Sequence, residues 1–225
     1  MHSTHTANRL VEMEKLKIIA AAALVGTWTS LATVWLGLGA QAAYLSGIAL
    51  FGLWIALEIF CGGKAADFGL KMPSKKDALA AISLFALFFV PAIALRLLLP
   101  DFDAWYARLY GLDTASATLA LAINFLPLAL VFEELAVRGV LHSKLLQRFG
   151  RNGAVLAVVA VFFTLMHLPI AGYSPSLAFS VGAMATILFY SIFISALYQQ
   201  TRSLFATALL HALVNYVSAA QTFWH

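Results

Sequence analysis

Charge is what this sequence has least of. Asp, Glu, Lys and Arg make up 11% of its 225 residues, against about 25% in an ordinary soluble domain. That shortage excludes a conventional water-soluble globular chain. A single cysteine, Cys61, excludes an internal disulfide framework. Several chemistries are missing as well. There is no His-Glu-x-x-His, so the usual zinc-protease helix is absent. No aspartate lies within an apolar run, which removes a buried aspartyl pair. No Gly-x-Ser-x-Gly nucleophile elbow occurs. Without a phosphate-binding glycine loop, an ATP-driven pump has no support.

What is present is apolar sequence in long runs. Hydrophobic residues make up 62% of the chain, and its mean hydropathy is +0.89. Barrel strands would be segments of about ten residues with alternating polarity, whereas these runs are continuous and long enough for transmembrane helices. The expected fold is all-α, a polytopic bundle of about seven spans. The spans are read at Ile18–Leu38, Ala43–Cys61, Ala78–Leu99, Thr118–Leu141, Gly153–Leu168, Leu177–Leu197 and Leu204–Thr222. Residues 1–225 then form one integral-membrane domain, with no repeat, low-complexity segment or soluble domain. The first run ends near Ala40-Gln41-Ala42, like a signal-peptide cleavage site. It exceeds the usual h-region of about 7–15 residues and is read as a retained span.

The net charge is +4, and the isoelectric point of about 9.3 taken alone would suit nucleic-acid binding. The basic residues instead cluster between spans, and no nucleic-acid partner is expected. If spans alternate, eleven basic residues fall on one side: Arg9, Lys15, Lys17, Lys64, Lys71, Lys75, Lys76, Lys144, Arg148, Arg151 and Arg202. Only Arg96 and Arg108 fall on the other, beside Asp101, Asp103 and Asp113. The positive-inside rule then puts the N-terminus in the cytoplasm and the C-terminus outside. The segment Trp105–Leu112, with Trp105, Tyr106, Leu109 and Tyr110, reads as an interfacial aromatic helix.

Polar residues inside the spans carry the functional signal. A charge at the centre of a membrane helix costs about 2.5–3.5 kcal/mol on the mildest scales, so such residues mark sites. Glu133 and Glu134 are adjacent within the fourth span. Glu134 and Arg138 are four apart and stack on one helical face, where they can pair. Glu133 points about 100° away with no sequence-local cation, which leaves its carboxylate free for general-base work. His167 ends the fifth span, and His211 and Asn215 share a face of the last. At about 1.5 Å per residue, Glu133 lies roughly 16 Å, His167 roughly 24 Å, His211 roughly 14 Å and Asn215 roughly 20 Å from the nearest cytoplasmic basic residue. All fit within a ~30 Å core, at depths that tilt can bring level. His142 reads as a residue of the cytoplasmic membrane boundary, with a solvated or interfacial role rather than a catalytic one.

Three motifs resemble those of the CPBP family of intramembrane proteases, which includes the eukaryotic CAAX prenyl endopeptidases and many prokaryotic relatives. Glu133-Glu134-Leu-Ala-Val-Arg138 is similar to Glu-Glu-x-x-x-Arg, Phe163-Thr-Leu-Met-His167 to Phe-x-x-x-His, and His211-Ala-Leu-Val-Asn215 to His-x-x-x-Asn. They cover about Thr118 to Asn215, within the region 118–222. Val137 stands where the family often has an aromatic residue. The resemblance implies a glutamate-dependent protease requiring no cofactor. In that scheme Glu133 and His167 activate a water, His211 and Asn215 stabilise the oxyanion, and Glu134 with Arg138 supports the site. Zinc held by the Glu and His residues is the alternative. The expected partners are the lipid bilayer and a membrane-associated protein or peptide substrate, in a prokaryotic cell (inner) membrane. Two other functions fit the same residues: a non-proteolytic immunity or scaffold protein retaining the fold, and a transporter with Glu133 as proton relay. The lack of visible inverted repeats weighs against the transporter.

Overall fold

Burial of polar residues along one helical rod organises this molecule. A computed structural model describes residues 17–26, 40–98, 119, 126–168 and 177–221. The helices are α1 (Lys17–Gly26), then α2 (Ala40–Phe60), a 3-10 turn (Ala65–Phe68), α3 (Lys75–Leu98), α4 (Leu126–Glu133), a π-helical segment (Glu134–His142), α5 (Ser143–Phe149), α6 (Gly153–Met166), α7 (Leu177–Thr201) and α8 (Leu204–Gln221). No strand occurs among the described residues. The interfacial segment expected at 105–112 lies outside them, as does the side chain of Arg96.

Five of the expected spans, the second, third, fifth, sixth and seventh, correspond closely to helices; residues 27–38 of the first and most of 118–125 of the fourth lie outside the described residues, and the fourth differs at its other end. The fourth is expected from sequence to stop at Leu141. Helical backbone instead runs from Leu126 through the π segment to Phe149, with right-handed dihedrals at both junctions, Glu133 and Ser143. The polar residues immediately past Leu141, His142 to Lys144, do not end the helix because they are taken up by packing, while Gln147 and Arg148 are exposed on its last turn. Ser143 Oγ donates to the Arg138 carbonyl at 3.0 Å and lies 2.6 Å from the Tyr198 hydroxyl. Lys144 is buried and donates to Glu58 Oε2 at 2.8 Å, with the Phe68 ring 5.4 Å away. Lys144 is therefore no solvated loop charge, contrary to its place in the charge pattern. His142, expected at a solvated boundary, is completely buried and lies against the Tyr198 ring.

The π segment is the axis of the packing. Its residues Ala136, Val137, Val140 and Leu141 join one buried cluster with Val25 of α1, Phe51 and Ile55 of α2, and Val159 and Phe163 of α6. A second cluster unites Ala81 and Phe88 of α3, Tyr190, Ile194 and Leu197 of α7, and Ala206 and Leu210 of α8. Large apolar side chains also face outward. They include Leu53 and Leu57 on α2, Ile82 and Val90 on α3, Val158 and Leu165 on α6, and Val181 and Ile192 on α7. Among the described residues one helix is long and apolar enough to cross a bilayer, Ser180–Thr201. The remaining apolar helices found there, Lys17–Gly26, Leu45–Phe60, Gly153–Met166 and Leu204–Tyr216, are shorter. The all-α expectation therefore holds for these residues, while their length and composition alone do not reach seven spans.

One end of the bundle is tied by loop contacts. Arg202 Nη2 donates to the Asp67 carbonyl at 3.0 Å, Ser203 Oγ to the Lys71 carbonyl at 3.0 Å, and the Leu204 amide to the Gly69 carbonyl at 2.9 Å. Gln199 Nε2 reaches the Asn152 carbonyl at 3.2 Å. The loops before α3, before α6 and before α8 thus meet at the same end, as alternating helices require. Asn152 caps α6 by accepting the Val155 amide. Ser74 and Asp77 form a reciprocal capping box at the start of α3, and the Ser74 amide holds the Asp77 carboxyl below its ordinary value.

Gly69 sits at the centre of that tie, with φ 77°, and a Cβ there would lie 2.7 Å from Tyr198 Cε2. Gly150 also has positive φ, 69°, but opens onto empty space. Gly150→Ala should cost about 1–3 kcal/mol, because φ 69° with ψ −172° is backbone essentially reserved for glycine. Gly69→Ala should combine a left-handed penalty of about 1–2 kcal/mol with overpacking of about 1–3 kcal/mol. Thermal unfolding in one detergent should therefore show the larger loss for Gly69→Ala.

Candidate active site

Two adjacent glutamates at an α-to-π junction share His211 as a neighbour, and Glu134 pairs with Arg138 as well. Glu134 is buried at the start of the π segment. Its Oε1 lies 3.5 Å from Arg138 Nη1, so the ion pair expected from the four-residue spacing is present. The same oxygen lies 2.9 Å from His211 Nδ1 of α8. A carboxylate oxygen accepts, so Nδ1 carries the proton and donates. Arg138 is wholly buried. Its Nη2 lies 3.5 Å from Ser191 Oγ of α7, and its guanidinium stacks 4.3 Å above the Phe163 ring.

Glu133 is the more open of the two, its side chain 16% exposed. Its Oε2 has no hydrogen-bond partner, and the nearest cationic or imidazole group is His211 Nε2 at 3.6 Å. His211 therefore lies between the glutamates, with one ring nitrogen turned to each. The motif resemblance pairs Glu133 with His167. The structure instead brings His211 beside it and gives His167 no hydrogen bond or ion pair with either carboxylate. The reason is local: His167 occupies the C-cap of α6, with φ −92° and ψ 0°, and its Nδ1 donates to the Phe163 carbonyl one turn back at 2.8 Å.

That bond fixes the His167 tautomer, leaving Nε2 without a proton in the neutral ring. Phe163 connects the parts. Its ring lies 4.6 Å from His167, 6.1 Å from His211 and directly under Arg138. The aromatic residue four before His167 is thus a platform on which all three polar groups rest. Asn215 lies one turn beyond His211 on α8 and is half-buried. Its side chain makes no hydrogen bond within the described part of the chain.

Residues 115–217 match the family model described as type II CAAX prenyl endopeptidase Rce1-like. The segment is similar to that family. All six residues singled out in the sequence, Glu133, Glu134, Arg138, His167, His211 and Asn215, fall within the match, and α1 to α3 lie outside it. No curated protein and no solved structure matches the chain.

Sequence reasoning misses several residues that surround this Rce1-like site. Tyr190 packs edge-on to the His211 ring at 5.5 Å, and Ser191 supports Arg138. Their signal is present as polar residues within the otherwise apolar run of α7, including Ser195. An apolar run with a tyrosine and serines reads equally as packing, so nothing local singles them out. Among the described residues, no three His, Cys, Asp or Glu side chains are grouped so as to hold a metal ion.

Arg138→Met should destabilise the protein by about 3–5 kcal/mol, because it strands the buried Glu134 carboxylate. Combining it with Glu134→Gln should recover part of that loss. A double-mutant cycle on unfolding free energies measures the coupling, and simple additivity of the two changes would contradict a buried pair.

Proposed function

We propose that this chain is an intramembrane endopeptidase of the glutamic type. In this reading it hydrolyses a peptide bond in a membrane-associated protein or peptide, near the substrate's membrane-embedded or C-terminal end. The observation that carries the reading is His211 lying between two carboxylates, 2.9 Å from Glu134 and 3.6 Å from Glu133. Buried clusters of interacting acids and bases are how proteins tune groups for proton transfer. The Rce1-like match, whose description names a CAAX prenyl endopeptidase, supports peptide-bond hydrolysis in particular.

The chemistry follows from the roles the geometry permits. Glu133, whose side chain is 16% exposed while its Oε2 is buried without a hydrogen-bond partner, takes a proton from water as that water attacks the scissile carbonyl. His167, with Nε2 free, assists in orienting the water. The attack generates a tetrahedral oxyanion, and Asn215 donates to it through its side-chain amide. Glu133 then returns the proton to the leaving nitrogen, and the C–N bond breaks. Glu134 and Arg138 hold the His211 ring in orientation through Nδ1. His211 Nε2 faces Glu133 at 3.6 Å; the motifs imply a role for His211 at the oxyanion, which requires a proton on Nε2. No cofactor enters this route. The zinc alternative would use the same Glu and His residues and is separated from this route by chelation.

A bilayer setting is part of the proposal. Continuous apolar sequence, the outward apolar side chains of four helices and the membrane-length helix Ser180–Thr201 support a membrane-embedded helical protein, which we read as a seven-span bundle of a prokaryotic cell membrane. The shared end of the basic loops supports a cytoplasmic N-terminus and an external C-terminus.

Mass spectrometry of protein C-termini in expressing cells tests the activity even while the substrate is unidentified. New C-termini should appear with the wild type and be absent with Glu133→Ala. Chelator treatment of purified enzyme should leave the rate unchanged. Cleavage that persists in Glu133→Ala refutes the assignment, and loss on chelation restored by zinc reverses the choice of chemistry.

A further inference from the structure

An oxyanion needs donors not committed elsewhere, and the site as built is short of them. His211 has Nδ1 against Glu134 and Nε2 facing Glu133, so it can serve an oxyanion only by giving up a carboxylate. Asn215 alone remains from the residues the sequence singled out. A second uncommitted donor lies on α7. The Tyr190 ring packs T-shaped against His211 on one side, at 5.5 Å, and against Phe88 on another, at 5.3 Å. The residue is 7% exposed, and its hydroxyl is buried without a hydrogen-bond partner.

Such an orphan is costly. Leaving a buried hydroxyl unpaired sacrifices about 1–3 kcal/mol, whereas phenylalanine would fill the same space without that loss. Packing therefore does not account for the oxygen. The His211 ring against which Tyr190 packs lies 3.6 Å from Glu133 and 2.9 Å from Glu134, which puts the Tyr190 ring beside the carboxylate cluster. Its ring is fixed by aromatic contacts on two sides, so its donor direction is set before substrate arrives, the condition under which an oxyanion donor is most effective.

Resting on the proteolytic reading above, we propose that Tyr190 is a further catalytic residue, its O–H donating to the tetrahedral oxyanion alongside Asn215. The contact forms only as negative charge develops on the substrate oxygen, which strengthens the transition state more than the bound substrate. His211 is thereby free to remain between the two glutamates throughout the cycle. The competing role, a structural hydrogen bond from Tyr190 to the unpaired Glu134 Oε2, predicts the opposite effect on stability.

The experiment compares wild type, Glu133→Ala and Tyr190→Phe by C-terminal mass spectrometry of expressing cells. It continues with purified enzymes and a synthetic peptide spanning the bond so mapped. Tyr190→Phe should lower kcat by about 10²-fold, the usual effect of deleting one oxyanion donor. KM should change less than about twofold, as for an interaction made in the transition state alone. The unfolding midpoint in detergent should be unchanged or higher. Full kcat, or a loss accompanied by a falling midpoint, overturns the role of Tyr190 while Glu133-dependent cleavage stands. C-termini indifferent to Glu133→Ala would overturn the proteolytic reading and this inference together.

Discussion

The structure depends on the way one buried carboxylate is neutralised. Glu134 lies inside the helical rod, and isolated charge there costs several kcal/mol. Arg138 one turn later and His211 from α8 share a single Glu134 oxygen. Arg138 in turn is held by the Phe163 ring of α6 and by Ser191 of α7. Satisfying this one group therefore joins the π segment, α6, α7 and α8. The helices that carry the motifs are the helices that the carboxylate needs around it.

The π geometry sharpens that arrangement. Helical turns closed by longer hydrogen-bonded rings are uncommon and often occur at functional sites. Here the change from α to π falls between Glu133 and Glu134. Glu134 is thereby bound into the packed axis, and Glu133 belongs to the α-helical turn before it, with a more exposed side chain. Adjacent residues of one chemical type thus acquire separate environments. Such divergence between paired carboxylates is how enzymes commonly divide structural and reactive roles.

Much of this is legible in the residue pattern. Apolar runs locate five of the helices to within a few residues, and the four-residue spacing of Glu134 and Arg138 predicts their contact. The free carboxylate of Glu133 follows from the same spacing argument. What spacing cannot supply is the partner across helices. His211 rather than His167 reaches the glutamates because α8 packs on the π segment while His167 bonds back to its own helix. The fate of Lys144 depends on Glu58, 86 residues earlier. A lysine after an apolar run looks like a membrane boundary until its buried partner is known. Tyr190 escapes notice for a related reason: a tyrosine among apolar residues becomes informative only when its hydroxyl is found without a partner.

The central claim is that the two glutamates do different work, one reactive and one structural. The most direct measurement is the unfolding midpoint and peptide turnover of Glu133→Gln and Glu134→Gln, purified in the same detergent. The account predicts that Glu133→Gln keeps or raises the midpoint and loses turnover, while Glu134→Gln lowers the midpoint by breaking the contacts to Arg138 and His211. Equal midpoints for the two variants, or full turnover in Glu133→Gln, would contradict it.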